Sequence, residues 1–316
     1  MKKTPKLLIL AGTVLAFLFL FGIIFYNNFI KKSIYEENSQ HLLSTYEQVD
    51  KTFTMFVQHN WNALSDWSNN LQYLDDAENM KTLWYDFARR KDAWQYQDFY
   101  MFNENCDFIT AAGRDGNAPN IQGIFLDMYE TGQPVISSYI ASDSNRRIVF
   151  ALPMDVPYTI NGITYSGLAV SYNNDVVEKL IAGNIYQGQS DCYILTSDGN
   201  VLLSLEPKTE FLQKISNLFD FLNKYTNMTE TEITDLKKNI KNVSTGSLQC
   251  RYNNKNYYLV YEPTGINDWT IVGIIHDDVV DASMRRIQSI TIVLLLILNG
   301  CIALLLTGTV FALMDS

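Results

Sequence analysis

Apolar positions form two long runs at the ends of the chain and a periodic stripe between them. No charged residue occurs from Leu7 to Ile30, and none from Ile287 to Met314. Each run exceeds the ~20 apolar residues needed to cross a bilayer, so transmembrane helices are predicted over 7–30 and 287–314. Lys2, Lys3 and Lys6 precede the first run and place the N-terminus in the cytoplasm. No small-x-small cleavage site follows the run at Phe25-Tyr26-Asn27-Asn28-Phe29-Ile30, which favours an uncleaved anchor over a signal peptide. Two spans then put residues 31–286 outside the cell membrane. Arg285 and Arg286 stand on the outer flank of the second run; two residues carry less weight here than the basic N-terminus.

Between Ile23 and Ala112 there is neither Gly nor Pro, which predicts long helices leading directly from the membrane. Leu42, Tyr46, Val49, Phe53, Phe56, Leu64, Trp67, Leu71 and Leu74 follow in steps of three or four, with Asn60 at one expected apolar place. This is the stripe of a helix packed along one face. The face could meet the chain's own domain, a second copy, or both. A second helix is predicted over 76–90.

From Gln97 the pattern changes to β-formers punctuated by turn residues. Phe99–Phe102 and Phe108–Ala111 read as a hairpin around Asn103-Glu104-Asn105. Cys192–Leu195 and Val201–Ser204 read as another, around Thr196-Ser197-Asp198-Gly199-Asn200. The two align without gaps, Tyr100 on Tyr193 and Phe108 on Val201. Ile148–Pro153 likewise resembles Tyr258–Pro263, and both are followed by a β-rich run and an Asp-Val-Val (175–177 and 278–280). Asp175 and Asp278 are expected to cap the helices that follow. The fold class is therefore α+β: a long helical stalk with capping helices (31–96), then two tandem antiparallel-sheet modules, membrane-distal over 97–189 and membrane-proximal over 190–283. The second module carries an amphipathic insert with Phe211, Leu212, Ile215, Leu218, Phe219 and Leu222 on one side.

Composition narrows the function. With 24 Lys+Arg against 34 Asp+Glu the formal charge is −10, and no basic block exists, which excludes a nucleic-acid partner. There is no HExxH, GxSxG or P-loop, so no catalytic residue and no cofactor is assigned. His41 and His59 are eighteen residues apart, ~27 Å along a helix, too far to share a metal ion, and no metal site is assigned. The cysteines are Cys106, Cys192, Cys250 and Cys301. A Cys192–Cys250 bridge is one reading; small buried side chains are the favoured one.

The order of parts resembles the double Cache family, the PAS-like extracytoplasmic sensor domains of bacterial transmembrane receptors. Three stretches carry the likeness: Tyr-Ile-Leu-Thr-Ser-Asp-Gly-Asn-Val-Leu (193–202), Glu-Thr-Gly-Gln-Pro-Val-Ile-Ser (130–137) and Asn-Asp-Trp-Thr-Ile-Val-Gly-Ile-Ile (267–275). The resemblance implies a homodimer in membrane lipid that binds a small molecule outside the cell. It further implies an output through a sensor histidine kinase, with a diguanylate cyclase or chemotaxis domain as alternatives; a membrane-tethered binding or scaffold protein without output is the reading from a different class. No kinase or cyclase motif follows Met314. The Arg-x-Trp-Tyr element of the amino-acid-binding subset is absent; the nearest fragments are Arg90–Trp94 and Gly113–Gly116. The resemblance thus stops short of an amino-acid ligand.

A pocket needs apolar walls and a few converging polar groups. In the distal module the candidates are Trp94, Tyr96, Tyr139 and Tyr165 with Arg114, Asp127 and Arg147. Arginine can clamp a carboxylate through paired N–H groups, and aromatic faces can hold a cation. Trp269, in the last strand of the proximal module, is read as core.

Overall fold

A computed structural model describes residues 4–71, 77–118, 122–141, 145–182, 185–204, 215–280, 289–294, 297 and 300. Side chains of the first apolar run other than Phe29, most of the second run, and Leu74, Phe211 and Leu212 of the predicted stripes lie outside the described residues. Among the described residues no helix is long and apolar enough to cross a membrane.

Helix α1 spans Thr4–Leu71 without a break. Helix α2 (Ala77–Trp94) follows. The distal module holds β1 (Asp98–Phe102), β2 (Asp107–Thr110), β3 (Asp115–Asn117), α3 (Gln122–Thr131), β4 (Val135–Ile140), β5 (Arg146–Ile160) and β6 (Ile163–Asn173). Helix α4 (Asn174–Ala182) and a 3-10 turn at Ile185–Gly188 lead into the proximal module. That module holds β7 (Ser190–Leu195), β8 (Val201–Ser204), α5 (Leu218–Tyr225), α6 (Glu230–Lys241), β9 (Gly246–Tyr252), β10 (Lys255–Pro263) and β11 (Thr270–His276).

Both sheets are antiparallel and share one topology. The distal order is β3-β2-β1-β6-β5-β4 and the proximal order is β8-β7-β11-β10-β9. Without the additional edge strand β3 they superpose strand for strand, as the internal repeat implies. The register makes this residue-specific. Tyr100 faces Ala169, which faces Ala151; Tyr193 faces Val272, which faces Tyr261. The ungapped hairpin alignment holds from Leu195 to Val201, then slips by one residue at a β-bulge beside Ile194.

Helix α1 lies against one face of both sheets. Leu42, Tyr46, Val49, Phe53, Leu64, Trp67 and Leu71 are all buried in one core with Phe99, Phe150 and Val170 of the distal sheet and Tyr258, Val260 and Ile271 of the proximal one. Period-2 alternation sends the intervening residues to the opposite faces. Close approach is written into the strand: the Tyr46 ring occupies the space where any Cβ at Gly273 would sit. Asn60, the polar interruption of the stripe, is fully buried; its Oδ1 accepts from the Tyr172 hydroxyl at 2.8 Å and its amide donates to the Phe56 carbonyl at 2.9 Å. A buried amide with both ends bonded avoids the desolvation penalty that a lone one would carry.

Three expectations change. The two Asp-Val-Val aspartates are not caps: α4 starts at Asn174, and the helix after β11 starts at Asp277. Both aspartates lie one residue inside the first turn, where they favour the positive end of the helix. At the second junction the cap is His276, whose Nδ1 accepts the Asp278 N–H at 3.1 Å. The proximal insert contains a second helix that the apolar stripe did not reveal, α6, opened by a Thr229/Glu232 capping box. Finally, Cys192 belongs to the core under α1 while Cys250 belongs to the core on the opposite face of the same sheet, so they cannot bridge. Cys106, Cys192 and Cys250 are free and buried. Burial pushes the thiols of Cys192 and Cys250 each up to about 12, which makes them inert at neutral pH.

Candidate functional site

The outer face of the distal sheet carries a cavity of about 340 Å³. Its floor is explained by the register. Asp98, Tyr100 and Phe102 alternate onto this face from β1, with Thr110 and Phe108 paired beside them on β2. Arg147, Val149 and Ala151 arrive from β5, and Gly167, Ala169 and Ser171 from β6. Of the β5 and β6 residues only Arg147 lines the cavity; Val149, Ala151 and Ala169 are packed in a small core with Phe102, Phe125 and Met128 beside it. Phe102 stacks on Phe125 of α3 at 3.7 Å, and α3 closes one end with Phe125 and Met128 buried. Tyr139 of β4 and Phe108 of β2 make opposite walls.

The polar groups converge on one carboxylate. Asp98 is 8% exposed. Its Oδ1 accepts from Arg114 Nη2 at 2.8 Å, and its Oδ2 lies 3.5 Å from Arg147 Nη1 and 3.3 Å from the donating Tyr100 hydroxyl. Tyr100 Oη also sits 3.4 Å from Tyr139 Oη and 3.1 Å from Ser171 Oγ. Burial first, then the neighbouring Tyr139 and Asp98, raise the Tyr100 pKa well above the ordinary phenol, so it stays a hydrogen-bond donor. Arg114 is held by a tight loop: its N–H donates to Thr110 Oγ1 at 3.1 Å and its carbonyl accepts from Thr110 N–H at 2.7 Å. Asp115 stands exposed at the rim.

Arg114 and Arg147 face the buried Asp98 carboxylate while the Asp115 carboxylate stands at the rim, so the formal charges of the lining balance. Either guanidinium offers paired donors in a fixed fork that suit a ligand carboxylate. Asp98 and the hydroxyls of Tyr100 and Tyr139 can in turn receive or orient an amine or hydroxyl of the same molecule, and Phe102, Phe108 and Phe125 suit an apolar body.

Of the sequence candidates, Arg114, Tyr139 and Arg147 line this cavity together. The others do not. Trp94 stacks on His59 of α1 at 4.2 Å. Tyr96 is buried edge-on to Trp67 and Tyr172 at 5.9 and 5.0 Å, under the helix. These two rings serve the packing of α1. Tyr165 is 2% exposed and buried without reaching the cavity, and Asp127 is exposed on α3. Asp98, Tyr100, Phe102 and Thr110 are the site residues that sequence reasoning missed. The available signal was Asp98 itself, a charge inside a β-forming run whose alternation puts it on the face of Tyr100.

No family model and no curated protein matches the chain. Solved structures do. The sensory domain of the Campylobacter jejuni chemoreceptor Tlp3 with isoleucine bound is similar with a TM-score of 0.54 at 12% identity, covering 80% of this chain and 98% of that one. The ligand-binding domain of the Pseudomonas aeruginosa amino-acid chemoreceptor PctB in complex with L-Arg has a TM-score of 0.56 at 14% identity, covering 79% and 92%. The extracellular domain of the putative histidine kinase mmHK1S-Z3 has a TM-score of 0.53 at 13% identity, covering 77% and 98%. The chain thus has the double Cache fold of the sensory domains of chemoreceptors and histidine kinases.

Proposed function

We propose that the chain is the extracytoplasmic small-molecule sensing module of a membrane-anchored signal-transduction receptor, the input part of a sensor histidine kinase. A chemoreceptor input is the second reading, favoured by the likeness to Tlp3 and PctB. The observation that carries the sensing role is the Asp98–Arg114–Arg147 cluster beside Tyr100 and Tyr139 in a cavity of small-metabolite size. Its two guanidinium forks and its apolar walls support a carboxylate-bearing ligand. Amino acids fit this description and are bound by Tlp3 and PctB, so they belong in the first panel beside simple carboxylic acids.

The test is a thermal-shift screen of residues 31–286 against such a panel. A binder at 100 times its Kd should stabilise the fold by ~2.7 kcal/mol, several degrees for a protein of this size. Arg147→Ala and Arg114→Ala should reduce the shift, Arg147 more because it is the less exposed of the two (13% against 68%). Wild-type affinity in both variants would place the ligand elsewhere.

A further inference from the structure

We propose that the β9–β10 end of the proximal module docks on the phosphate headgroups of the bilayer that holds the first apolar run. This rests on the membrane-anchor reading and adds a specific surface to it. The geometry comes from α1, which serves as a ruler. Phe53 stacks on Trp269 at 6.2 Å, Tyr46 meets Gly273, and Tyr35 stacks on Tyr258 at 5.9 Å. Seven helical residues (~10 Å) thus match four strand residues (~13 Å), so β11 runs alongside α1 in the opposite direction. Its partner β10 points its first residues towards the start of the helix. Below Tyr35, the charge-free run ends at Ile30, ~7.5 Å away along the helix. Below Tyr258, the turn at Asn253-Asn254 lies four to five strand residues away, ~13–16 Å. The turn therefore reaches the level of the last apolar residue of the run.

The chemistry of this end fits a headgroup layer. Phe221 packs with Tyr225 at 5.2 Å and with Tyr252 at 5.5 Å. Tyr225 is 51% exposed, and Lys224 Nζ lies 4.9 Å over its ring. Arg251 and Lys255 are exposed on either side of the turn. The α5–α6 connection is tied to β9, Asn227 N–H donating to the Arg251 carbonyl at 3.1 Å and Asn227 Oδ1 accepting from Arg251 N–H at 2.6 Å. The aromatic and basic groups thus move as one surface. Of the acids nearby, Asp277 is 16% exposed and accepts from the Asn256 amide, Asp278 is 60% exposed with its carboxylate 3.4 Å from His276 Nδ1, and Glu36 sits 3.8 Å from Lys32. Tyr rings favour the membrane–water boundary, and Lys and Arg favour lipid phosphate.

The experiment reconstitutes the full chain in nanodiscs that carry a nitroxide lipid near the headgroup. A fluorophore is attached at Asn254→Cys, Phe29→Cys or Asp198→Cys, each corrected against the parent chain. Expected is strong quenching at positions 29 and 254, none at 198, and at least a twofold loss of quenching at 254 in Arg251→Glu/Lys255→Glu. Quenching at 29 without 254 overturns the docking and leaves the anchor standing. Quenching at neither overturns the anchor, and the docking with it. Quenching at 254 unchanged by the charge reversal shows proximity without phosphate contact and also overturns the proposal.

Discussion

The outer faces of the two sheets share a topology and a strand signature, yet one is a cavity and the other is solid. Asp98 and Tyr100 of β1 recur as Asp191 and Tyr193 of β7, all four largely withdrawn from water. The difference comes from the strands alongside. By register, distal Arg147, Ala151, Ala169 and Ser171 correspond to proximal Tyr257, Tyr261, Val272 and Ile274. The proximal residues fill the same face and are sealed by Leu218, Phe219 and Leu222 of α5 and Ile233, Leu236 and Ile240 of α6. Even the edge is adapted: the Tyr261 hydroxyl occupies the place of a side chain at Gly246. One duplicated sheet face thus keeps an open cavity bordered by Asp98, Tyr100 and Arg147 beside a small core at Ala151 and Ala169. It is filled throughout where large residues replace them.

The largest effect that this contrast predicts is on stability. Tyr261→Ala should cost ~3–5 kcal/mol, the range for large aromatic truncations in a core, because Tyr261 is 6% exposed and accepts from Asn239 at 3.2 Å. Tyr139→Ala, at the corresponding outer face of the distal module, should cost no more than ~1 kcal/mol because its ring borders open space. Denaturant unfolding of both variants measures the difference, and equal costs would mean that the distal face is as closely packed as the proximal one.

The converse exchange concerns ligand. Ala141→Tyr places a ring in the distal cavity, which Ala141 lines, as Tyr261 fills the proximal face. It should abolish the ~2.7 kcal/mol stabilisation expected at 100 times Kd, while apo stability shifts by ~1–3 kcal/mol as for other small-to-large changes. Isothermal titration against a ligand found in the screen would show it; retained affinity would move the binding site away from the sheet.

Much of this was readable in the sequence, and the boundary of legibility has a physical cause. The stripe from Leu42 to Leu71 marked the buried face of α1, because helical period and burial are local properties. The hairpins at Tyr100 and Tyr193 and the matched runs at Ile148 and Tyr258 exposed the duplication for the same reason. What makes the cavity is non-local: Asp98, Arg114 and Arg147 converge from β1, the β2–β3 loop and β5, separated by long stretches of chain, and no single-strand pattern reveals that they meet. Trp94 and Tyr96 were attractive as aromatics, yet His59, Trp67 and Tyr172 claim their rings for packing. His276 displaced Asp278 as the cap because β11 ends and the helix begins within two residues, a boundary that pattern alone does not fix.

A smaller effect joins the two modules. Arg146 and Arg147 are consecutive on β5 and so point to opposite faces. Arg147 borders the distal cavity, while Arg146 Nη1 donates to the Val201 carbonyl at 2.8 Å, with Leu202 O at 3.5 Å, on the edge strand β8 of the proximal sheet. Asn174 donates to Ser204 O on the same strand at 3.2 Å. Arg146→Ala should cost ~1–2 kcal/mol and leave ligand affinity near wild type. Through this link ligand should slow hydrogen exchange of β8 amides in the parent chain, a coupling that Arg146→Ala should abolish. An unchanged response would remove Arg146 from the coupling.

The smallest effect separates the two contacts with α1. In the distal module the polar contact is the neutral Asn60–Tyr172 hydrogen bond. In the proximal module Asn38 donates to the Tyr258 hydroxyl at 3.5 Å, and a group of acids stands further along the same contact. Burial, reinforced by Glu47 and opposed by Lys51, raises Asp50 to about 6; burial, then Asp50 and Glu47, raises Glu262 of β10 to about 7. Lys51 is already engaged by Glu47 at 2.7 Å, and Asp50 Oδ1 is buried without a hydrogen-bond partner. Folding thus strengthens proton binding at both acids. Their penalty is absent below the unfolded carboxyl pKa of ~4, grows as pH rises to 6–7, and is complete above that. Both groups are partly solvated, so screening reduces the effect to ~1 kcal/mol. The proximal contact with α1 should therefore weaken between pH 5 and pH 8, and Glu262→Gln should recover most of that loss at pH 8 while changing little at pH 5. Melting temperatures of the two proteins across this window decide it, because carboxylates elsewhere in the chain contribute equally to both. Parallel profiles would show that Glu262 titrates alike in the folded and unfolded chains, and the acid contact would then carry no pH dependence.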